Sequence, residues 1–179
     1  MTKYKIPTEG IQGYGSHIPF LQKELDEAPD NIMVFEFGCG DFSTLTFLNS
    51  DKVTQVDSIE MQSALWLDKM RTTVEGDRCI IWDAVQDPLE ALRMGRDLMA
   101  NNKYHIAFID GHEANRPECV NLCIELDIPV ILVHDYQCDV YGWNRIDWNE
   151  AFWHNYGYIK YKAEFDQVTL CLKLNHKSL

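Results

Sequence analysis

With 179 residues, 46% of them hydrophobic, the chain has apolar material for one core and too little length for two domains of ordinary size. Acidic residues outnumber basic ones by 28 to 16, for a formal charge of -12, and no cluster of Lys and Arg could follow a phosphate backbone. Nucleic acid is therefore not expected as a partner. The first residues carry no apolar signal region and no apolar run approaches membrane-spanning length, so the expectation is a soluble cytoplasmic protein with no membrane partner.

In chain order, residues 11–27 hold a glycine-rich turn, Gly13-Tyr14-Gly15-Ser16-His17, and then an amphipathic helix from Ile18 that tolerates Pro19 in its first turn. Residues 32–40 form an apolar strand that delivers Glu36, then Gly38 and Gly40, at its carboxyl end. A backbone turning at these glycines approaches a ligand with no Cβ in the way, and Glu36 stands where a cationic group could be held. Residues 41–48 begin polar and continue apolar, as the first turns of a covering helix do.

Val53 and Val56 lead as a second strand into Asp57, and residues 60–75 read as helix. Strand 78–82, helix 88–101, strand 104–109, helix 117–126 and strand 130–134 follow. This βαβ alternation predicts an α/β fold with a mostly parallel open sheet and helices on both faces. Two strand-like runs, 158–165 and 168–174, are joined by Asp166 and Gln167, a connection short enough for an antiparallel hairpin. One late strand is expected to run in reverse. The organisation is a single domain over 1–179, with an N-terminal lid and helix at 1–28, a core at 32–135 and a C-terminal hairpin at 157–174.

Six cysteines lie mostly within apolar segments without a Cys-x-x-Cys pair, as reduced, buried thiols do. Cys119 and Cys123 could share a helix face as metal ligands, but no second pair completes a site, and packing is the simpler account.

A dinucleotide fingerprint needs a third glycine where Ser43 stands, which weakens a nicotinamide reading. At this point the chain resembles the class I methyltransferases that use S-adenosylmethionine. Their first motif, an acidic residue followed by Gly-x-Gly after one residue, is matched by Glu36, Gly38 and Gly40. The resemblance implies a Rossmann-like sheet with a late antiparallel strand and S-adenosylmethionine as cofactor, held in part by Ser43 at the head of the covering helix.

Ligands in open α/β sheets bind beyond the carboxyl ends of the strands, near the point where strand order reverses. Asp57, about 20 residues past the glycine turn, is placed to accept from both ribose hydroxyls; a helix cap, which Ser58 could equally supply, is the alternative. After the third strand, the resemblance assigns Asp83 to the adenine amine and the Ala84 amide to a ring nitrogen, with Trp82 or Ile59 along the ring. A capping Asp83 is the rival reading.

Asp110-Gly111-His112 and His134-Asp135-Tyr136 end the fourth and fifth strands, where packing alone would favour apolar residues. They resemble segments of small-molecule methyltransferases, some related to the catechol O-methyltransferase type. In that branch the carboxylates matching Asp110 and Asp135 hold magnesium, which orients and acidifies a substrate hydroxyl. Tyr136 stands where that branch has Asn or Asp. Without a metal, Asp110 would position cofactor or acceptor and Asp135 would fix His134 or a loop.

His112 and His134 are candidate general bases, since imidazole titrates near neutral pH, and each could equally be a hydrogen-bonded core residue. Related proteins carry a stretch similar to Gly15-Ser16-His17-Ile18-Pro19, so Ser16 and His17 are expected at the cofactor's amino-acid end, with a helix cap as the alternative. Arg116 and the aromatic segment 141–148 remain to receive the acceptor, although such aromatics more often pack. The expected activity is methyl transfer to a small molecule, most naturally at oxygen. A nicotinamide oxidoreductase and a non-catalytic S-adenosylmethionine-binding module are the alternatives, and neither the acceptor nor the oligomeric state can be read from the sequence.

Overall fold

Strands of branched and aromatic residues alternate with amphipathic helices, and the apolar faces of both are satisfied only by stacking in three layers. A computed structural model describes residues 4–9, 15–74, 78–163 and 167–175. The elements are α1 (Ile18–Glu27), β1 (Ile32–Phe37), α2 (Ser43–Asn49), β2 (Val53–Glu60), α3 (Ala64–Val74), β3 (Cys79–Asp83) and α4 (Pro88–Asn101). Then come β4 (Tyr104–Ile109), α5 (Arg116–Glu125), β5 (Val130–Val133), α6 (Trp148–Trp153), β6 (Tyr156–Lys162) and β7 (Val168–Leu174).

The strands form one seven-stranded sheet in the order β3-β2-β1-β4-β5-β7-β6. All pairings are parallel up to β5, and β7 runs antiparallel to both of its neighbours, as the sequence predicts. The hairpin strand β6 spans Tyr156–Lys162 rather than 158–165, and Phe165 and Asp166 lie outside the described residues.

Alternation along β1 sorts the two cores. Val34 packs with Leu21, Leu45, Phe47 and Met70 from α1, α2 and α3, while Phe35 and Phe37 pack with Ala91, Met99, Val120 and Cys123 from α4 and α5. Phe35, Phe37 and Phe108 are fully buried, each contributing about 1.5–3 kcal/mol by removal from water. Helix α4 shows how local sequence fixes an element. Asp87 caps it by accepting from the Glu90 amide at 2.9 Å, Pro88 occupies the first turn, and Ala91, Gly95 and Met99 recur four apart as its buried stripe.

One boundary differs from expectation with consequences for the site. Strand β2 runs on to Glu60, where the sequence predicts a helix from residue 60, because ladders hold it: Ser58 pairs with Glu36 and Ile81, and Glu60 pairs with Asp83. The six cysteines are free thiols; Cys39, Cys119, Cys123 and Cys171 are buried, while Cys79 and Cys138 are partly exposed. Among the described residues, no helix is long and apolar enough to cross a membrane.

Candidate functional site

Strand order reverses between β1 and β4, and a row of backbone bonds carries the sheet past its own ends there. The Gly38 amide donates to Ile59 (2.8 Å), the Asp110 amide to Phe37 (2.9 Å) and the His134 amide to Ile109 (3.1 Å). The tips of β2, β1, β4 and β5 are thereby set side by side. Gly38 has φ of +94°, and a Cβ on it would lie 2.8 Å from the Asp110 carbonyl oxygen and the Gly111 backbone. Only glycine fits that crossing. Above it opens a cavity of about 510 Å³, within the usual range for a small-molecule site, with Gly40, Trp66, Asp110, His134, Asp135 and Tyr141 in its wall.

Glu36 does not face this cavity. Its carboxylate is fully buried beneath the turn, accepting from Ser58 Oγ (2.5 Å) and Thr44 Oγ1 (2.7 Å). Thr44 in turn accepts from the Gly40 amide at 2.9 Å, so Glu36 supports the glycine turn through Oε2, while its Oε1 has no hydrogen-bond partner among the described residues. Burial pushes its carboxyl up to about 7, although the hydroxyls of Ser58, Ser43 and Thr44 pull the other way. Ser43 lines the cavity from the first residue of α2, and Ser58 lies buried below it.

Asp57 is misplaced for a ribose. Three residues short of the strand tip and 2% exposed, it accepts from Tyr104 Oη (2.7 Å), Gln55 Nε2 (3.0 Å) and Trp82 Nε1 (3.4 Å) within the core layer under α4. Glu60 occupies the tip instead, its Oε1 accepting from the Gln62 and Ser63 amides and its Oε2 from the Cys39 thiol. Glu60 falls where the sequence predicts the start of a helix, and its one signal in the sequence is the pair of acids in Asp57-Ser58-Ile59-Glu60. At β3, Asp83 is exposed and caps the Val85 amide, and the Ala84 amide already donates to Glu60 at 3.0 Å, so it does not face outward for a ring nitrogen.

The loaded tips separate as well. His112 turns away from the cavity: its Nδ1 accepts from the Ala114 amide at 3.1 Å and caps a short 3-10 turn at Glu113–Asn115. His134 is 4% exposed and stands in the cavity wall. Its Nδ1 lies 3.1 Å from Asp110 Oδ1, and its Nε2 lies 3.2 Å from Ser16 Oγ and 3.6 Å from Asp135 Oδ1. Burial opposes charge on His134, but Asp110 and then Asp135 outweigh it and raise its pKa above the usual imidazole value. Burial also works against the Asp110 carboxylate, yet His134, Arg116 and His17 together hold it down to about 2. Asp135 carries a positive φ of 54°, a left-handed conformation that Asp adopts more readily than most residues.

From the N-terminal turn, Gly13 and Tyr14 lie outside the described residues, but Ser16 and His17 meet the sheet tips. His17 sits at the cap position of α1 without capping it; its ring lies 4.4 Å from that of His134 and 4.8 Å from that of Phe108. Arg116 lines the cavity, with its guanidinium engaged inside the protein. It is 5% exposed, pairs with Asp110 Oδ1 at 2.9 Å, donates to the Gly111 and His134 carbonyls, and lies against the Tyr141 ring. It clamps the β4 and β5 tips together.

Asp110 and Asp135 by themselves supply few of the oxygen ligands that a magnesium ion takes. A hard cation wants about six oxygen ligands, but Asp110 Oδ1 already carries a guanidinium and an imidazole. Tyr136 packs its ring on Trp143 and lines a different groove. The nearby Gln137 carboxamide donates its amide to Asp135 Oδ1 at 3.2 Å, and its oxygen accepts from the Val168 amide.

No protein-family model and no curated protein sequence matches the chain. Solved structures do. An O-methyltransferase from Bacillus cereus in complex with SAH (S-adenosylhomocysteine) superposes with a TM-score of 0.65 at 18% identity, covering 94% of this chain and 84% of that one. The chain has the class I methyltransferase fold. The cofactor-bound protein Rv0187 from MTB gives a TM-score of 0.63 at 14% identity over 97% of this chain and 85% of that one. A 23S rRNA methyltransferase, ErmE, gives 0.58 at 12% identity over 89% and 68%. The methyltransferase fold puts the glycine turn, the reversal point and the cavity at one edge of the sheet.

Proposed function

We propose that the chain transfers the methyl group of S-adenosylmethionine to an oxygen of a small molecule held in the cavity over β1, β4 and β5. The observation that carries this reading is the convergence of Gly40, Ser43, Asp110, His134 and Asp135 on one cavity at the point where strand order reverses. The O-methyltransferase fold of the Bacillus cereus protein supports it. A charge of -12 disfavours a nucleic-acid acceptor, although ErmE shows that the same fold serves an rRNA methyltransferase.

Gly38 and Gly40 admit the cofactor's methionine end to the backbone, with Ser16, His17 and Ser43 beside it. Glu60 is as buried as Asp57, but its place at the strand tip beside Cys39 makes it the ribose candidate, and exposed Asp83 is the group available to the adenine amine. The sulfonium methyl is already activated. The acceptor oxygen attacks the methyl carbon in line, the carbon–sulfur bond breaks, and S-adenosylhomocysteine leaves. Proton removal falls to the group of Asp110, His134 and Asp135. His112 takes no part.

Calorimetric titration with S-adenosylhomocysteine, beside NAD at equal concentration, tests the cofactor. Release of S-adenosylhomocysteine across a panel of phenols, catechols and hydroxy acids then tests turnover. Binding without turnover on any acceptor supports a non-catalytic module, and NAD binding in place of S-adenosylhomocysteine restores the oxidoreductase.

A further inference from the structure

We infer that His17, Asp110 and His134 form a site for a divalent transition-metal ion of the zinc, cobalt or iron(II) class. The three side chains come from the start of α1 and the tips of β4 and β5, and each offers a ligand atom within 4.8 Å of the other two. A metal about 2.0–2.2 Å from each donor sets tetrahedral donors about 3.3 Å apart, so small rotations of the two imidazoles close the site.

The second observation is His17 itself. It is 2% exposed, yet among the described residues neither of its ring nitrogens has a hydrogen-bond partner, and His134 Nδ1 also lacks one of acceptable geometry. An unpaired buried polar atom costs about 1–3 kcal/mol, and phenylalanine would fill the space against Phe108 without that cost. A Lewis acid at the cavity wall gives these nitrogens a partner. Asp110 meets Arg116 and His134 through Oδ1, and its side chain is 27% exposed towards the cavity, which leaves Oδ2 for the ion.

The donor set decides the metal. Two imidazoles and one carboxylate suit zinc, cobalt and iron(II), whereas magnesium and calcium take oxygen shells. The cavity leaves the remaining coordination positions open, as catalytic metal sites do. A hydroxyl acceptor bound there loses its proton more readily and is held beside the methyl donor. That use rests on the methyl-transfer reading; the binding of the ion does not.

The test is titration of chelator-treated protein with cobalt(II), followed by its visible absorbance, and with zinc(II) by calorimetry, with S-adenosylhomocysteine affinity measured in parallel. One equivalent of either ion is expected to bind, and His17→Phe, which keeps the packing on Phe108, and Asp110→Asn are each expected to weaken it about a hundredfold. Wild-type protein that binds S-adenosylhomocysteine but neither ion overturns the metal site and leaves the methyltransferase reading intact. Protein that binds cobalt but not S-adenosylhomocysteine upholds the site and sinks that reading. Unchanged cobalt affinity in folded His17→Phe overturns the ligand assignment.

Discussion

The tips of β2 and β3 and those of β4 and β5 lie along one edge of the same sheet, yet they treat their polar groups in opposite ways. At β2 and β3 each acidic side chain has its partner within the protein: Asp57 has Tyr104, Glu60 has two backbone amides, and Asp83 has the Val85 amide. At β4 and β5 the groups crowd each other, with two imidazoles and two carboxylates together and buried ring nitrogens that have no partner among the described residues. At these tips the ring nitrogens without partners mark where a ligand belongs, while the partnered acids hold a fixed edge for the cofactor. Chemistry is therefore expected at one end of this edge, with scaffold and cofactor grip at the other.

The largest expected effect separates the two ends outright. Asp110→Ala should lower turnover about a hundredfold or more while far-ultraviolet dichroism stays native, whereas Asp83→Ala should leave the chemical step at saturating cofactor unchanged. An equal loss in both variants would erase the contrast.

A pH profile sharpens it next. Burial, then the charge of His134, lower His17 from 6.5 to about 3 against the pull of Asp110, so the unfolded chain binds a proton that the folded one refuses. Stability falls as pH drops through that window. His134 acts oppositely, since its raised pKa contributes stability that is fully present below 6.5 and is lost as pH climbs through its folded value. Asp110, held at about 2, contributes stability above 3.8 that is lost as pH falls towards about 2. In chelator-treated protein, His17→Phe should remove roughly 2 kcal/mol of acid destabilisation between about pH 6.5 and 5, read from urea midpoints. An unaltered slope would mean that His17 is not held neutral.

Asp57→Ala should cost about 1–3 kcal/mol in urea unfolding by stranding the Tyr104 hydroxyl, with S-adenosylhomocysteine affinity nearly unchanged in the folded protein. Glu60→Gln should show the reverse, losing about tenfold in affinity, or roughly 1.4 kcal/mol, with a smaller change in stability. If Asp57 proves to be the one that controls affinity, the strand-tip argument is wrong. Smallest of all, His112→Ala should cost about 0.5–1 kcal/mol through its lost cap and leave turnover as it was.

The strands and helices were legible because apolar periodicity and the glycine and acidic punctuation are local properties, and Asp87-Pro88 announces α4 as plainly as Glu36-Phe37-Gly38 announces the turn. The end of β2 was not, because Ser58-Ile59-Glu60 has no strand signal strong enough to outvote a helix. Its conformation is imposed by the β1 and β3 ladders on either side. The role of Arg116 was hidden for a similar reason, since a guanidinium reads as a surface group until the carbonyls of Gly111 and His134 are brought to it.

The sequence by itself determined the layered architecture, the reversed late strand and the kinds of side chain that end β4 and β5, all of which follow from the order of residues along the chain. Which of those side chains meet depends on contacts between elements far apart in the chain. Asp110-Gly111-His112 puts its two polar residues in different directions, and His17 reaches His134 across more than a hundred residues of chain. Side-chain direction depends on backbone angles and on neighbours from distant elements, and a strand-end motif specifies neither.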